Sequence, residues 1–267
     1  MSDGEAGSAE GRITSERIGR ILAIGIDRPR KLNGFSPKML VELAEAFTSL
    51  ERDEAAWVGV LYAHGANFTA GLELDKVAPI MRERGGVFPP DTVDPLSLRP
   101  PIRSKPLVCA VQGICFTLGI ELMLAADIVV AADDCRFAQI EIARGIMPAG
   151  GATVRMVERA GWGNAQRYLL TAEEFGASEA LRLGLVQEVV PAGRQKGRAM
   201  EIAGVIAEQA PLAVRASLAS SRTAIDRGPE AAFRELKAQQ AQLMATSDAA
   251  EGVRSFIERR RAQFTGR

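Results

Sequence analysis

Two glutamates stand in frames that are otherwise apolar, Glu121 in LGIELMLAA and Glu141 in FAQIEIARGI. A carboxylate in such surroundings is costly unless it is paired or used, and two of them can divide the work of a general acid and a general base. Two turns nearby are rich in backbone amides without ladder partners. The first, His64-Gly65-Ala66-Asn67-Phe68-Thr69-Ala70-Gly71-Leu72-Glu73, leaves an apolar run. The second, Gln112-Gly113-Ile114-Cys115-Phe116-Thr117-Leu118-Gly119-Ile120-Glu121, runs into a helix start. There the first-turn N–H groups lack helical partners and lie at the positive end of the dipole. Donors for a developing oxyanion, with carboxylates to move carbon-bound protons, are what a reaction through an enolate requires. Taken singly, each turn also reads as an ordinary loop and each glutamate as a solvated or ion-paired side chain.

Other chemistries find less support. His64 is the single histidine, so a metal site built on two imidazoles is excluded. A serine hydrolase relying on it fails for want of a G-x-S-x-G elbow. Gly150 and Gly151 in Pro148-Ala149-Gly150-Gly151 fit neither a dinucleotide fingerprint nor a phosphate loop, and read as a tight turn opening a helix. Lys+Arg and Asp+Glu both number 33, which gives no overall attraction to nucleic acid or to an anionic membrane. Cys109, Cys115 and Cys135 are scattered and odd in number, which suits buried, reduced thiols and a cytoplasmic setting. No apolar run reaches the ~20 residues of a membrane span. The acidic start MSDGEAGSAEG lacks the order of a signal peptide and reads as a flexible segment over residues 1–11.

The elements that must position these residues alternate in type. Residues 12–27 read as one or two strands. Ser36 and Pro37 then cap a helix whose apolar positions recur through Leu50. WVGVLYA (57–63) is a strand, 77–84 a weak helix, 107–113 a buried strand, 118–126 a short apolar helix and 127–132 a strand. Between them, residues 85–106 carry Pro89, Pro90, Pro95, Pro100, Pro101 and Pro106. No regular element survives that density, so the stretch is either a pocket wall or lid, or a disordered surface loop. From 149 onward helices dominate, at 149–160, 162–171, 178–183, 195–209, 211–227, 229–246 and 249–262, interrupted by a strand at 185–190. Asp248 with Glu251 resembles a capping box for the last helix. The pattern is that of an α/β protein, with a core over 12–192 and a C-terminal helical region over 193–267.

Taken together and at this spacing, the three stretches resemble the signature of the enoyl-CoA hydratase/isomerase (crotonase) superfamily over about residues 12–264. The resemblance implies a spiral of repeated ββα units with a C-terminal helical oligomerisation region. It implies that the amides of Leu72 and Leu118 form the oxyanion hole, within turns that include Ala70, Gly71 and Gly119. It makes Glu121 and Glu141 the acid/base pair of a hydratase, with Gln139 in support. The family's hydratase turn reads G-G-G-C-E, where this chain has Thr117-Leu118-Gly119-Ile120-Glu121. That difference bears on the acyl pocket, because a backbone donor survives any substitution except proline. CoA contacts carry over to Arg30 and Lys31 and to Phe256 and Arg259, while a relative's lysine after the first turn is replaced by Asp75 beside Lys76.

The implied reaction is reversible addition of water to a trans-2-enoyl-CoA, giving a 3-hydroxyacyl-CoA. It uses no metal and no cofactor other than coenzyme A as part of the substrate. The implied assembly is a homotrimer or a dimer of trimers. Alternatives within the family are an enoyl-CoA isomerase or a hydratase/aldolase. Outside catalysis, the alternative is a CoA- or RNA-binding homologue.

Overall fold

Residues 12–27 form two strands because Gly19, at φ +60°, turns the chain back on itself. In the computed structural model, which describes residues 10–267, β1 (Arg12–Ile18) pairs antiparallel with β2 (Ile21–Asp27), Arg12 opposite Asp27. Residues 1–9 of the segment expected to be flexible lie outside the described residues. Glu10 and Gly11 are tied down, their carbonyls accepting from Ser36 Oγ and Lys38 Nζ. Helix α1 (Pro37–Arg52) starts as its sequence requires, Ser36 Oγ accepting from Met39 N–H, and buries Met39, Leu40, Leu43, Phe47 and Leu50.

The chain continues through β3 (Val58–Ala63), α2 (Leu74–Arg84), β4 (Leu107–Val111), β5 (Ile114–Phe116), α3 (Leu118–Ala125), β6 (Ile128–Ala132) and β7 (Arg136–Ala138). Then come α4 (Ala152–Ala160), α5 (Trp162–Thr171), β8 (Phe175–Gly176), α6 (Ala177–Arg182), β9 (Glu188–Val190), α7 (Gln195–Ala207), α8 (Pro211–Arg227), α9 (Pro229–Met244) and α10 (Ser247–Ile257).

One sheet has the order β1-β2-β3-β4-β6-β9 and is parallel from β2 onward; a smaller one has the order β5-β7-β8. Successive side chains of a strand face opposite ways, and the large sheet is apolar on both faces. Leu22, Ile24, Leu61, Cys109 and Val129 join α1, α3 and α4 in the main core. Ile21, Ala23, Val60, Val108 and Val130 meet Ala199 and Ala203 of α7 on the other side. The three thiols are buried in this interior, and burial pushes Cys135 up to about 12.

The structure departs from expectation at several boundaries. The strand expected over 107–113 stops at Val111, and β5, β7 and β8 form a sheet of their own. The strand expected over 185–190 shrinks to β9, because Leu185 N–H turns back to Ala180 O. The last helix is capped by Thr246, whose Oγ1 accepts from Ala249 N–H. Asp248 instead accepts from Thr265 N–H and Gly266 N–H at 2.7 and 2.8 Å, fastening the C-terminal segment.

Residues 85–106 contain no helix or strand, yet they are internally braced. The Asp94 carboxylate accepts from Leu96, Leu98 and Arg99 N–H, and the Arg99 guanidinium donates to Phe88 O, Pro89 O and Pro90 O. Of the two readings of this stretch, the structure supports the wall.

Candidate active site

The first amide-rich turn is held by Asn33, a residue at φ +54° in the left-handed region that asparagine tolerates. Its side-chain oxygen accepts from Arg28 N–H, and its Nδ2 donates to His64 O at 2.8 Å and Asn67 O at 2.7 Å. Thr69 Oγ1 donates to Asn33 O and accepts from Gly71 N–H. A parallel bridge joins Phe35 to Leu72 through Phe35 N–H to Gly71 O and Glu73 N–H to Phe35 O. In such a bridge the Leu72 N–H points away from its partner strand, and among the described residues no acceptor meets it. The His64 imidazole does not line the cavity described below: its Nε2 lies 3.0 Å from Thr14 Oγ1.

A second bridge, Thr69 to Cys115, lays the other turn against the first. Here β5 enters α3 through Thr117, at φ +49° and ψ −114°, a conformation favoured by glycine and strained for a β-branched residue. Thr117 N–H donates to Ala138 O, and Glu121 N–H donates to Thr117 O. Thr117 and Leu118, which stand where the resembled motif has two glycines, are therefore accommodated without loss of the turn. Leu118 stands at the first helical position, and its N–H has no acceptor among the described residues. At the far end of α3, Arg159 donates to Leu124 O and Arg103 to Ala125 O, which places two guanidinium groups on the negative end of this wholly buried helix.

Glu121 lies one turn into α3 and is 5% exposed. One oxygen accepts from Gly150 N–H at 2.5 Å and, more distantly, from Ala152 N–H at 3.5 Å. Burial dominates these bonds and, with the neighbouring charge of Glu141, pushes the Glu121 carboxyl up to about 7. Glu141 opens a single 3-10 turn, Glu141–Arg144, after β7. Burial raises its pKa as well. The fully buried Gln139, with its amide turned to donate, meets both Glu141 oxygens at 3.0 and 3.1 Å. Two raised carboxyls that feel each other titrate as a pair.

These parts converge on one cavity of about 390 Å³. Ala70, Leu72, Thr117, Leu118, Glu121 and Glu141 line it, and Met81, Phe88, Leu96, Leu98, Ile140 and Met147 supply apolar wall. Gly71 and Gly119 shape it from behind: a methyl on Gly71 would collide with Thr117 Oγ1, and one on Gly119 would lie 2.7 Å from Thr69 Cγ2. Arg30 and Lys31, exposed on a 3-10 turn, the exposed Phe256 near the end of α10 and the exposed Arg259 just beyond that helix do not line it. A single chain does not bring these four to the carboxylates.

Sequence reasoning missed the Gly150 amide, Asp94 and Arg155. The Pro-Ala-Gly-Gly turn ahead of a helix was the available signal for the first. The other two act on backbone carbonyls and amides, which leave no trace in a motif.

The fold recurs in known proteins. A family model described as enoyl-CoA hydratase/isomerase matches residues 16–267. The chain is 31% identical over 255 residues to the enoyl-CoA hydratase EchA19 of Mycobacterium tuberculosis, covering 94% of this chain and 96% of the relative. It is 31% identical to the 2,3-dehydroadipyl-CoA hydratase of Escherichia coli, with 93% and 96% covered. The crystal structure of a probable enoyl-CoA hydratase/isomerase from Mycobacterium abscessus superimposes with a TM-score of 0.92 at 45% identity, over 96% of this chain and 98% of that one.

Proposed function

Because the chain belongs to the enoyl-CoA hydratase/isomerase family, we propose that it hydrates the 2,3 double bond of a trans-2-enoyl-CoA to give a 3-hydroxyacyl-CoA. The observation that carries this reading is the shared cavity: Glu121 and Glu141 face it together with the turns that bear the free amides of Leu72 and Leu118. The two amides receive the thioester oxygen and stabilise the enolate, a contribution of about 3–4 kcal/mol for each donor. A water held between the carboxylates adds to C3. One carboxylate accepts its proton, and the other, protonated, delivers a proton to C2. Burial suits this division, because it raises the pKa of both carboxyls, and two neighbouring carboxylates away from water favour sharing one proton. Gln139 steadies Glu141 by donating to it.

Coenzyme A enters as part of the substrate. Arg30 and Lys31 are candidates for its nucleotide end, and Phe256 and Arg259 for its adenine and phosphates, where the guanidinium fork suits a phosphate. The exposed apolar side chains Phe233, Leu236, Val253 and Ile257 on α9 and α10 support assembly into a trimer or a dimer of trimers. Among the described residues no helix is long and apolar enough to cross a membrane.

The test is the loss of conjugated-enoyl absorbance with crotonyl-CoA. Wild type is expected to turn over, with Glu121→Gln and Glu141→Gln each slower by at least ~10²-fold. A folded wild type that binds the thioester without hydrating it would overturn the reading.

A further inference from the structure

The apolar wall and the catalytic turn are packed together at two glycines. A methyl group on Gly150 would run into the Glu121 carboxylate on one side and lie 2.9 Å from Leu96 Cδ1 on the other. One on Gly151 would meet Arg155 Nη1 at 2.7 Å and Leu98 Cδ2 at 3.2 Å. Arg155, from the first turn of α4, fastens this junction. Its Nη2 donates to Leu96 O at 2.7 Å, and its Nη1 reaches Gly150 O at 3.5 Å. The peptide whose carbonyl faces Arg155 thus belongs to the residue whose N–H holds Glu121. Arg155 is half-buried, and the carboxylates of Glu158, Asp94 and Glu121 act on its charge.

We propose that Arg155 is a positioning residue that locks the Leu96–Leu98 wall to the Gly150 turn, so that the acyl-contacting surface and the Glu121 carboxylate form one rigid unit. The proposal rests on the hydratase reading for its catalytic consequence, while its structural part concerns Glu121 itself. Its physical basis is the guanidinium fork, which spans two carbonyls at a fixed separation as an ammonium does not. The charged groups lining the same cavity beside Glu121 are Glu141, Asp94, Arg99 and Arg144. Arg99 is occupied by the wall's own carbonyls.

The test compares wild type, Arg155→Lys and Arg155→Met, with folding checked by thermal denaturation. Glu121 is titrated by NMR of the carboxyl carbon in protein labelled at glutamate, with Glu121→Gln assigning the signal. In Arg155→Met the Glu121 midpoint is expected to rise by ~0.5 unit or more, because a nearby cation has been removed. In Arg155→Lys it should stay near the wild-type value.

Chain-length dependence supplies the second readout. Both variants lose the fork, so kcat/KM for crotonyl-CoA relative to a longer trans-2-enoyl-CoA is expected to change by several-fold, mainly through KM. A folded Arg155→Met with an unmoved Glu121 midpoint overturns the proposal. Should Arg155→Met fail to fold, an Arg155→Lys protein with wild-type chain-length discrimination overturns it. If wild type hydrates neither thioester, the hydratase reading fails, and the Glu121 midpoint together with acyl-CoA affinity at the two chain lengths still decides the role of Arg155.

Discussion

Gly150 has no room for a methyl group, since the Glu121 carboxylate and Leu96 already occupy the space on either side. Gly150→Ala is therefore expected to cost about 1–3 kcal/mol by overpacking and to lower kcat/KM far more than its loss of stability explains; urea denaturation and steady-state kinetics on one preparation separate the two effects. Glu121 itself makes stability depend on pH. Its folded-state pKa is raised to about 7, so below the ordinary carboxylate range both states hold the proton and no penalty applies. As the pH climbs from that range towards 7 the unfolded chain releases its proton first, and stability falls by up to ~3 kcal/mol at 1.36 kcal/mol per unit. Urea midpoints between pH 4 and 8 should decline in wild type and flatten in Glu121→Gln. By the same reasoning, kcat/KM for hydration should fall as the pH rises through about 7 and the shared proton is lost.

At the level of elements, the two donor turns touch through Thr117 and Gly71. Gly71 sits at φ +103°, and a methyl there would strike Thr117 Oγ1. Gly71→Ala is expected to abolish hydration. Adding Thr117→Gly should restore part of it, because the collision is removed while the strain at residue 71 remains; a double-mutant cycle measures that coupling. Thr117→Gly alone relieves a strained backbone worth about 1–3 kcal/mol against about 1 kcal/mol of added chain entropy on unfolding, so its melting temperature should match or exceed that of wild type.

These elements were legible to different degrees. Helix α1 and strands β2, β3, β4 and β6 announce themselves through long apolar patterns and, for α1, a serine cap. β7 and β8 do not, having three and two residues each, too few for a period. Helix α2 begins at Leu74, ahead of the expected 77, with Pro79 inside it disguising the pattern. The glutamates were legible because a charge among apolar residues is conspicuous. Their backbone partners were not, because any residue carries an amide.

At the scale of the molecule, α8 is latched to the core. Its Arg222 donates to Arg103 O and to Asp127 at 3.2 Å, and Arg103 donates to the same carboxylate at 2.8 Å. Beyond that latch, α9 and α10 leave Phe233, Leu236 and Ile257 exposed. If these faces build the proposed assembly, analytical ultracentrifugation should show wild type as a trimer or hexamer, and the double variant Phe233→Glu, Leu236→Glu should sediment as a smaller species. Arg103 also grips the C-terminal carbonyls of α3, together with Arg159. A rod braced against a wall cannot recoil when something presses on its tip. Held from behind by two guanidinium groups, the helix cannot slide along its axis without breaking both bonds, so on the proposed reading its dipole keeps one direction towards the thioester oxygen.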